Sequence, residues 1–286
     1  MPHDALLVAI LLLPFAGSIV AGLFPVNARN REAWLACVVA LVAHGLLWVV
    51  YPQMSLGEIL RFELAWLPAL GLGFSIRLDG FAWMFSILVT GIGALVALYA
   101  RYYMSPADPV PRFFSFFLAF MGSMLGVVLS GNLIQLVFFW ELTSLFSFLL
   151  IGYWHRNAAA REGARMALVV TAVGGLCLFA GVLVLGRIAG SYDLDAVLHA
   201  DDAIRSHALY LPALFLVLGG TLTKSAQFPF HFWLPHAMSA PTPVSAYLHS
   251  AAMVKLGVFL LARLWPVMAG ISSISLPANS RAVSSC

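Results

Sequence analysis

The sequence predicts an all-α integral membrane protein, a polytopic bundle of about eight transmembrane helices in which the seventh helix is broken. Three observations predict this fold class. Of the 286 residues, 62% are hydrophobic and only 9% are charged, whereas soluble domains carry about 25% charged residues. Eight apolar windows reach the length, about 20 residues, that a helix needs to cross a bilayer. Runs such as FFSFFLAFMGSMLGVVL lack the alternating polarity of a transmembrane β-barrel.

The predicted helices follow one another in windows separated by more polar loops. The windows cover residues 5–25, 34–51, 80–100, 112–130, 133–153, 164–188, 209–227 and 243–265. The first window lacks the basic start of a signal peptide and is therefore expected to span the membrane. Because only Gly131 and Asn132 join the fourth and fifth windows, these two helices are expected to be antiparallel neighbours. The acidic stretch 191–207 predicts an external loop with a short interfacial helix.

These windows divide the chain into three parts. Residues 1–111 hold the predicted transmembrane helices 1–3, and residues 112–266 hold helices 4–8. Residues 267–286 are rich in serine and too weakly hydrophobic to span a bilayer. We expect this last part to be a non-membrane tail, either disordered or the product of a truncation or a reading-frame change.

The distribution of arginine predicts the orientation of the bundle. Loops on one side of the predicted membrane carry seven arginines: Arg29, Arg31, Arg101, Arg112, Arg156, Arg161 and Arg165. Loops on the other side carry four: Arg61, Arg77, Arg187 and Arg205. Short cytoplasmic loops are enriched in Lys and Arg, so the arginine-rich side is predicted to be cytoplasmic and the N-terminus to be outside.

Three charged residues lie inside predicted helices, where each costs about 2.5–3.5 kcal/mol at the bilayer centre. Glu141 lies near the middle of the fifth window, Lys224 late in the seventh and Lys255 midway along the eighth. Charges in such positions usually mark an ion or proton path. The alternative is structural: the lysines could extend to the interface, or Glu141 could pair with a lysine only to hold helices together.

The segment between the two lysines carries four prolines and predicts the broken helix. Each proline removes a backbone donor, so the seventh helix is expected to break near Pro229 and to leave carbonyl groups that need a hydrated or protein-lined cavity. Broken helices occur at transport sites. His249, about 9 Å along the helix axis from Lys255, is expected to act as a proton relay. For His231 and His236 a relay and an interfacial hydrogen bond remain equally open.

Other residue patterns predict a helix cap and exclude several classes of site. Asp79, just before the third window, is expected to cap that helix. The three cysteines are far apart, and no histidine pair with a carboxylate has ligand spacing, so neither a disulfide nor a metal site is predicted. No CxxC cluster or dinucleotide-binding glycine motif is present, so we expect no cofactor and no enzymatic reaction from this chain. No basic tract predicts nucleic-acid binding.

Two long runs resemble a known membrane module. They are VVLSGNLIQLVFFWELTSLFSFLLIGYW and TKSAQFPFHFWLPHAMSAPTPVSAYLHSAAMVKLGVF. They are similar to the proton-translocating module that Mrp-type multisubunit cation/proton antiporters share with the membrane arm of respiratory complex I. The resemblance extends over about residues 60–266 and is greatest to the large A subunit of the antiporters, including the potassium-efflux variants.

The resemblance implies a function and roles for the buried charges. It implies a proton-translocating subunit that exchanges Na⁺ or K⁺ for protons in the bacterial inner membrane, together with other small membrane subunits. Glu141 and Lys224 would form a charge pair, and Lys255 and His249 would carry protons along the central axis. We also predict that His231 lies on the proton path. A proton-pumping subunit of an NADH:quinone oxidoreductase-like complex is the alternative.

The resemblance also predicts an incomplete transport path. Members of the family have two inverted five-helix repeats, whereas residues 112–266 match only the first of them. We therefore expect the chain to be truncated and to be inactive in transport by itself.

Overall fold

The computed structural model describes residues 3–25, 29–67, 72–105 and 108–268. The helices are, in chain order, α1 (His3–Gly22), α2 (Arg29–Val49), α3 (Tyr51–Ser55), α4 (Gly80–Tyr103), α5 (Val110–Val128), α6 (Leu133–Ile151), α7 (Ala158–Ala189), α8 (Leu194–His199), α9 (Asp201–Ser206), α10 (Tyr210–Lys224), α11 (Trp233–Ala237), α12 (Thr242–Ser245) and α13 (Met253–Met268). Two strands, β1 (Leu60–Leu67) and β2 (Leu72–Leu78), form an antiparallel hairpin. The predicted tail lies outside the described residues from position 269 onward.

Seven helical segments of the described chain are long and apolar enough to cross a membrane. They are α1, residues 30–49 of α2, α4, α5, α6, α7 and the stretch 242–268, in which α12 and α13 are joined by a π-helical turn (Ala246–Ala251). These segments fall on seven of the eight predicted windows. The prediction of an all-α polytopic membrane fold is confirmed.

The remaining predicted crossing is the broken helix. With 15 residues, α10 extends about 22 Å, which is less than the roughly 30 Å of the hydrocarbon core. At its start, the hydroxyl of Tyr210 donates to the carbonyl oxygen of Met268 at the end of α13 (2.6 Å). Beyond α11, Ser239 Oγ donates to the carbonyl oxygen of Ala159 at the start of α7 (3.3 Å). Together with a 3₁₀ turn (Phe230–Phe232) and α11, α10 therefore extends from the end of α13 to the start of α7.

Capping side chains fix where several helices begin. Asn132 accepts from the backbone N–H groups of residues 134 and 135 and starts α6. Asn157 accepts from the N–H of Ala159, so α7 begins six residues before the predicted window at 164. Gly190, with φ at +72°, ends α7 in the left-handed conformation that glycine adopts without steric cost.

The sequence predicts only a loop between the windows 34–51 and 80–100, whereas the structure has the β-hairpin there. It packs over the short α5–α6 connection: the N–H of Arg77 donates to the carbonyl oxygen of Leu129 (2.8 Å), and the N–H of Gly131 donates to that of Ser75 (2.9 Å). Ile76 and Leu78 are fully buried in β2. The predicted loop 191–207 contains two short helices, α8 and α9, and Asp195 of α8 contacts Arg61 of the hairpin (2.5 Å). The hairpin and these helices therefore cover the same end of the bundle.

The core is centred on α5, most of whose aromatic residues are buried. Phe113, Phe117 and Phe120 have no exposed surface, and Phe117 lies 4.7 Å from the ring of Tyr247 in the π-helical turn. The hydroxyl of Tyr247 donates to the carbonyl oxygen of Val89 in α4 (2.9 Å). This packing fixes the turn between α12 and α13, where one of the predicted proton-path residues lies.

Candidate functional site

Lys224, the last residue of α10, is completely buried. Its ammonium group donates to two oxygens of α6: the hydroxyl of Ser144 (2.6 Å) and the backbone carbonyl of Trp140 (3.2 Å). The ammonium nitrogen also lies 5.3 Å from the centre of the Trp140 ring, within the range of a cation–π interaction. All of these contacts are to groups without a formal charge.

Glu141 follows Trp140 on α6, but its carboxylate does not contact Lys224. No ion pair within 4.0 Å joins the two side chains, although they are close enough for an electrostatic interaction. The Oε1 atom of Glu141 is buried and has no hydrogen-bond partner within the described chain. The two charges are therefore near each other without touching, because the ammonium of Lys224 contacts α6 and the carboxylate of Glu141 lies against α7.

Two adjacent glycines of α7 make room for these side chains. A Cβ atom at Gly175 would overlap the carboxylate of Glu141, and one at Gly174 would overlap the hydroxyl of Thr223. Thr223 precedes Lys224 on α10, so α6 and α10 both approach α7 at this glycine pair. Small residues permit such close approach of membrane helices, and here they position the two charged residues on neighbouring helices.

The helix break begins directly after Lys224. Helix α10 ends there, and Ala226 has a φ of +49°, a conformation that is uncommon for residues other than glycine. Pro229 lies inside the interruption, before the 3₁₀ turn, so the break begins four residues earlier than the predicted position. Ser225 Oγ donates to the carbonyl oxygen of Val254 (2.9 Å), and a Cβ at Gly257 would overlap Ser225. Packing against α13 therefore holds the end of α10.

His249 lies in the π-helical turn and faces the same region. Both of its ring nitrogens are buried without a hydrogen-bond partner among the described residues. Its ring centre is 6.2 Å from that of Trp233, and Trp233 Nε1 donates to the carbonyl oxygen of Thr223 (3.0 Å). One indole ring therefore separates His249 from the end of the helix that carries Lys224. Single π-helical turns are frequent at functional sites.

Lys255 and His231 are not brought into this buried cluster. Both side chains are exposed on the surface of the chain, as is that of His236. The ring of His231 stacks on that of Phe228, with 5.9 Å between centres. An exposed charge at the depth of Lys255 requires water or another protein beside it.

A second set of buried charges surrounds Asp79. Its carboxylate caps α4 by accepting from the N–H of Ala82 (2.8 Å) and contacts the guanidinium groups of Arg77 and Arg263. Arg77 also donates to Asp195 of α8 (2.9 Å). Burial raises the pKa of Asp79, but the hydrogen bonds and the charge of Arg263, with smaller effects from Ala82 and Arg77, hold it below its ordinary value.

Sequence reasoning missed several residues of these sites. Ser144 lies one helical turn beyond Glu141, a spacing that places both on one side of α6, and a Gly-Gly pair within an apolar helix is a signal for close packing. Glu32 is fully buried with both oxygens unpartnered in the described chain. It lay just outside the predicted window 34–51. Within the described residues no cluster of three or more His, Cys, Asp or Glu side chains has the geometry of a metal site.

Comparison with known proteins relates this arrangement to a family. The model of the family described as "NADH:quinone oxidoreductase/Mrp antiporter, TM" matches residues 130–280, more than half of the chain. The chain belongs to this family. The match covers every helix from α6 to α13 and thus all residues around Lys224. The model "NADH-Ubiquinone oxidoreductase (complex I), chain 5 N-terminus" matches residues 66–114 of this complex I/Mrp family member.

Curated relatives with high identity are named as parts of antiporters. The A/B subunit of a probable K(+)/H(+) antiporter from Rhizobium meliloti (strain 1021) is 64% identical over 93% of the chain, and the match covers 27% of that relative. The A subunit of a Na(+)/H(+) antiporter from Alkalihalophilus pseudofirmus is 44% identical over 91% of the chain and 32% of that relative. The chain therefore spans about a third of the length of these relatives or less. The predicted family resemblance is confirmed.

Two solved structures share the fold. The Mrp complex from Dietzia sp. DQ12-45-1b matches 93% of the chain and 28% of its own matching chain, with a TM-score of 0.82 and 33% identity. A membrane-bound sulfane sulfur reductase, an archaeal respiratory complex, matches 91% of the chain and 40% of its own chain, with a TM-score of 0.76 and 22% identity. At that identity, the second match speaks for the fold alone.

Proposed function

We propose that this chain is a proton-translocating part of the A subunit of a multisubunit Na⁺/H⁺ or K⁺/H⁺ antiporter. The observation that carries the proposal is the environment of Lys224, which is fully buried at the end of an interrupted helix and contacts only uncharged oxygens. Burying an ammonium ion away from an opposite charge is costly. A group in that position is suited to gain and lose a proton rather than to hold a fixed charge.

In this mechanism Lys224 accepts and releases the proton, and Glu141 controls how stable the protonated form is. An ionised Glu141 on the adjacent turn of α6 attracts the ammonium, whereas the hydroxyl of Ser144 and the carbonyl of Trp140 keep the nitrogen in place in both states. Displacement of Glu141 from Gly175 would change that attraction. The transferred proton then leaves Lys224 as a free amine and passes toward His249.

The later part of the path is proposed to run from His249 to Lys255. Both lie on the crossing formed by residues 242–268, and the unpartnered ring nitrogens of His249 are able to receive and donate a proton. The exposed position of Lys255 suits transfer to water or to a neighbouring subunit. His231, which is also exposed, is proposed to lie at the edge of the path near the helix break.

The proposed setting is the bacterial inner membrane, with the N-terminus outside. The arginine asymmetry between loops supports this orientation. The contact between Arg61 and Asp195 joins the hairpin to the α8–α9 segment at one end of the bundle. The proposed orientation likewise puts both of these loops on the same side of the membrane. Small membrane subunits, Na⁺ or K⁺, protons and the lipid bilayer are the proposed partners, and the proposed role is transport rather than enzymatic catalysis, without a cofactor or nucleic acid.

A second candidate function is a proton-pumping subunit of a respiratory complex, because the family also includes NADH:quinone oxidoreductase subunits. The antiporter function is favoured by the 64% identity to a relative named as part of an antiporter. Purification from native membranes separates the two proposals. Small integral membrane subunits should accompany an antiporter, whereas flavin and iron–sulfur subunits would accompany a respiratory complex.

The mechanism is tested by cation-driven proton exchange in everted vesicles that contain the assembled antiporter, normalised to the amount of complex. Glu141→Gln and Lys224→Ala should each lower exchange by about a hundredfold, the lower end of what a positioned proton-transfer group contributes. If the two residues act as one unit, the double variant should lose little more than either single variant. Glu162→Gln, an exposed change on α7, is the matched control. Near-normal exchange in Glu141→Gln would contradict the mechanism.

Orientation is tested by labelling cysteines introduced at opposite ends of the bundle, in a background without the native cysteines. The side chain of Asp202 is 99% exposed, so Asp202→Cys should react with a membrane-impermeant reagent in intact cells. Arg156→Cys should react only after the cytoplasmic face is opened. The reverse pattern would show that the N-terminus is inside.

A further inference from the structure

An open cavity lies at the arginine-rich end of the bundle, away from Lys224. It has a volume of about 370 Å³ and forms where the start of α5, the end of α6 and the start of α7 meet. Its polar lining includes Arg112, His155, Arg161 and Arg165, and its apolar lining includes Phe148 and Leu149. Nothing in the proposed proton path uses these residues.

The three arginines of the cavity carry positive charge that no acid in the described chain neutralises by direct contact. None of them takes part in an ion pair within 4.0 Å. Arg161 donates to the backbone carbonyl of His155 (2.8 Å), and Arg165 donates to that of Arg161 (3.4 Å). Each guanidinium has five N–H donors, so these contacts leave several donors of each group available for an anion.

The remaining contacts at the cavity also pair none of the three arginines with an acid. The guanidinium of Arg112 lies 5.5 Å from the centre of the Phe116 ring, a contact with its face that leaves its N–H edges available. Of the nearby acids, Asp108 accepts from the backbone N–H of Ser105 (3.2 Å), and Glu162 is exposed. The cavity therefore combines a cationic rim, which no acid of the described chain contacts directly, with an apolar wall.

This combination distinguishes between possible anions. Arg161 and Arg165 lie in the first turns of α7, and Arg112 lies in the first turn of α5, so the rim is at the level of the lipid headgroups. Phe148 and Leu149 belong to the last turn of the membrane-spanning α6 and are in the direction of the hydrocarbon. A free phosphate ion would use only the rim, whereas a phospholipid would use both the rim and the wall.

We propose that this cavity binds an anionic phospholipid, with its phosphodiester among Arg112, Arg161 and Arg165 and an acyl chain along Phe148 and Leu149. Basic pockets between transmembrane helices on the cytoplasmic side bind such headgroups, and arginine suits phosphate because its planar fork donates two parallel hydrogen bonds. The lipid would join the ends of α5, α6 and α7. Since α6 and α7 carry Glu141 and Gly175, it would also steady the helices around Lys224.

The test is native mass spectrometry of the full chain, purified in detergent with any subunits that stay bound. Phosphatidylglycerol and phosphatidylcholine are titrated separately, and the dissociation constant of the tightest lipid site is measured. The wild type should prefer phosphatidylglycerol. Each single change of Arg112, Arg161 or Arg165 to Gln should weaken phosphatidylglycerol binding by about fivefold, as expected for one basic residue near a lipid headgroup. Phosphatidylcholine binding should change little.

The matched control removes equal charge from the same end of the bundle but outside the cavity. It combines Arg31→Gln, Arg101→Gln and Arg156→Gln and should retain the preference for phosphatidylglycerol. It is compared with the variant in which Arg112, Arg161 and Arg165 are all changed to Gln, which should lose that preference. If this triple cavity variant does not fold, the three single variants decide. Equal loss in cavity and control variants would overturn the proposal, because it would indicate a diffuse charge effect. Displacement of phosphatidylglycerol by inorganic phosphate at equal concentration would also overturn it, since the wall would then contribute nothing.

Discussion

Two sets of buried charges in this molecule are held in opposite ways. Around Asp79, at the hairpin end of the bundle, each charged group contacts an opposite charge: the carboxylate meets Arg77 and Arg263, and Arg77 also meets Asp195. Around Lys224, the ammonium contacts only a hydroxyl and a backbone carbonyl. The nearest partner charge, that of Glu141, lies against a glycine of another helix.

The difference is the basis of the structural role that we assign to the first set and of the proton-carrying role that we propose for the second. A buried ion pair with good geometry keeps both of its groups charged, because removing either charge leaves the other uncompensated. The Asp79 cluster therefore joins β2, α4, α8 and α13 permanently. A buried charge without a contacting partner is less strongly committed to one protonation state, which is what a proton carrier requires.

The largest expected effect is the loss of stability in Asp79→Asn. The change leaves Arg77 and Arg263 buried with less counter-charge, and breaking a buried ion pair costs about 3–5 kcal/mol. The yield of folded protein and the midpoint of thermal unfolding should fall, whereas exchange per folded molecule should change little. Asp202→Asn, on an almost fully exposed side chain, is the control and should unfold like the wild type. Normal stability with lost exchange would place Asp79 in the transport path.

The contrast between the two sets was only partly visible in the sequence. The long apolar windows predicted the membrane helices, and a charge inside such a window is conspicuous, so Glu141 and Lys224 were found. Asp79 was correctly singled out as a residue before a helix, but its contact with Arg263 joins residues 184 positions apart. A distance in sequence of that size leaves no local pattern, so the pairing could not be predicted.

The sequence also did not show which side of each membrane helix is exposed. Helix α13 carries apolar residues on its exposed side as well as on its buried side: Val258 and Trp265 are exposed although they are hydrophobic. In a membrane helix the lipid-facing side is as apolar as the core, so periodicity does not distinguish the buried side from the exposed one. This is why Lys255 was expected to lie inside the molecule but is exposed. The sequence analysis does not predict the hairpin, although Arg61, Glu63 and Ala65 alternate with apolar residues in β1, a pattern typical of a half-buried strand.

Gly175→Ala should impair exchange without removing any charge. A Cβ at this position overlaps the carboxylate of Glu141, so the carboxylate must move relative to Lys224. Misplacing a reacting group by about 1 Å costs up to about a hundredfold in rate, and we expect about a tenfold loss of exchange here because the Glu141 side chain is flexible.

Gly45→Ala is the matched control for this change. Nothing lies within 4 Å of a Cβ at Gly45 in α2, so this variant should keep full exchange and gain about 0.5–1 kcal/mol of stability, as expected for alanine in place of glycine in a helix. Normal exchange in Gly175→Ala would show that the position of Glu141 against α7 is unimportant, and the contrast with the Asp79 cluster would then be weaker.

The stability of the Asp79 cluster should depend on pH in the acid range. The folded-state pKa of Asp79 is below its ordinary value, so the stabilisation is complete above the unfolded pKa of about 3.9. As the pH falls below about 4, the unfolded state takes up the proton first and stability decreases by up to about 1.4 kcal/mol per pH unit. Thermal unfolding midpoints between pH 6 and pH 3 measure this slope.

The double variant Asp79→Asn with Arg263→Met provides the comparison for the pH series. It removes one charge of each sign, a replacement that is often neutral for stability, so the protein should remain folded with a shallower acid slope. Equal slopes in the wild type and the double variant would show that Asp79 is not the group whose protonation weakens the fold.

The smallest expected effect concerns Glu32, a buried acid that belongs to neither set. It has no exposed surface, and neither of its carboxylate oxygens has a hydrogen-bond partner in the described chain. Unlike Glu141, it lies in the first turn of α2, outside the helices that surround Lys224. A buried polar group without a partner costs about 1–3 kcal/mol. Glu32→Met, which removes the polar atoms but keeps a similar volume, should therefore raise stability by about 1 kcal/mol.

Two measurements on Glu32→Met decide whether an unpaired buried acid is always functional. Thermal unfolding should show a higher midpoint than the wild type, whereas Glu162→Met, at an exposed site, should show none of this gain. Exchange should be unchanged, because within the described residues Glu32 has no hydrogen bond to the groups around Lys224. If Glu32→Met lost exchange while remaining folded, absence of a partner would itself indicate a proton-binding group. The path would then have to extend from α6 and α10 to α2.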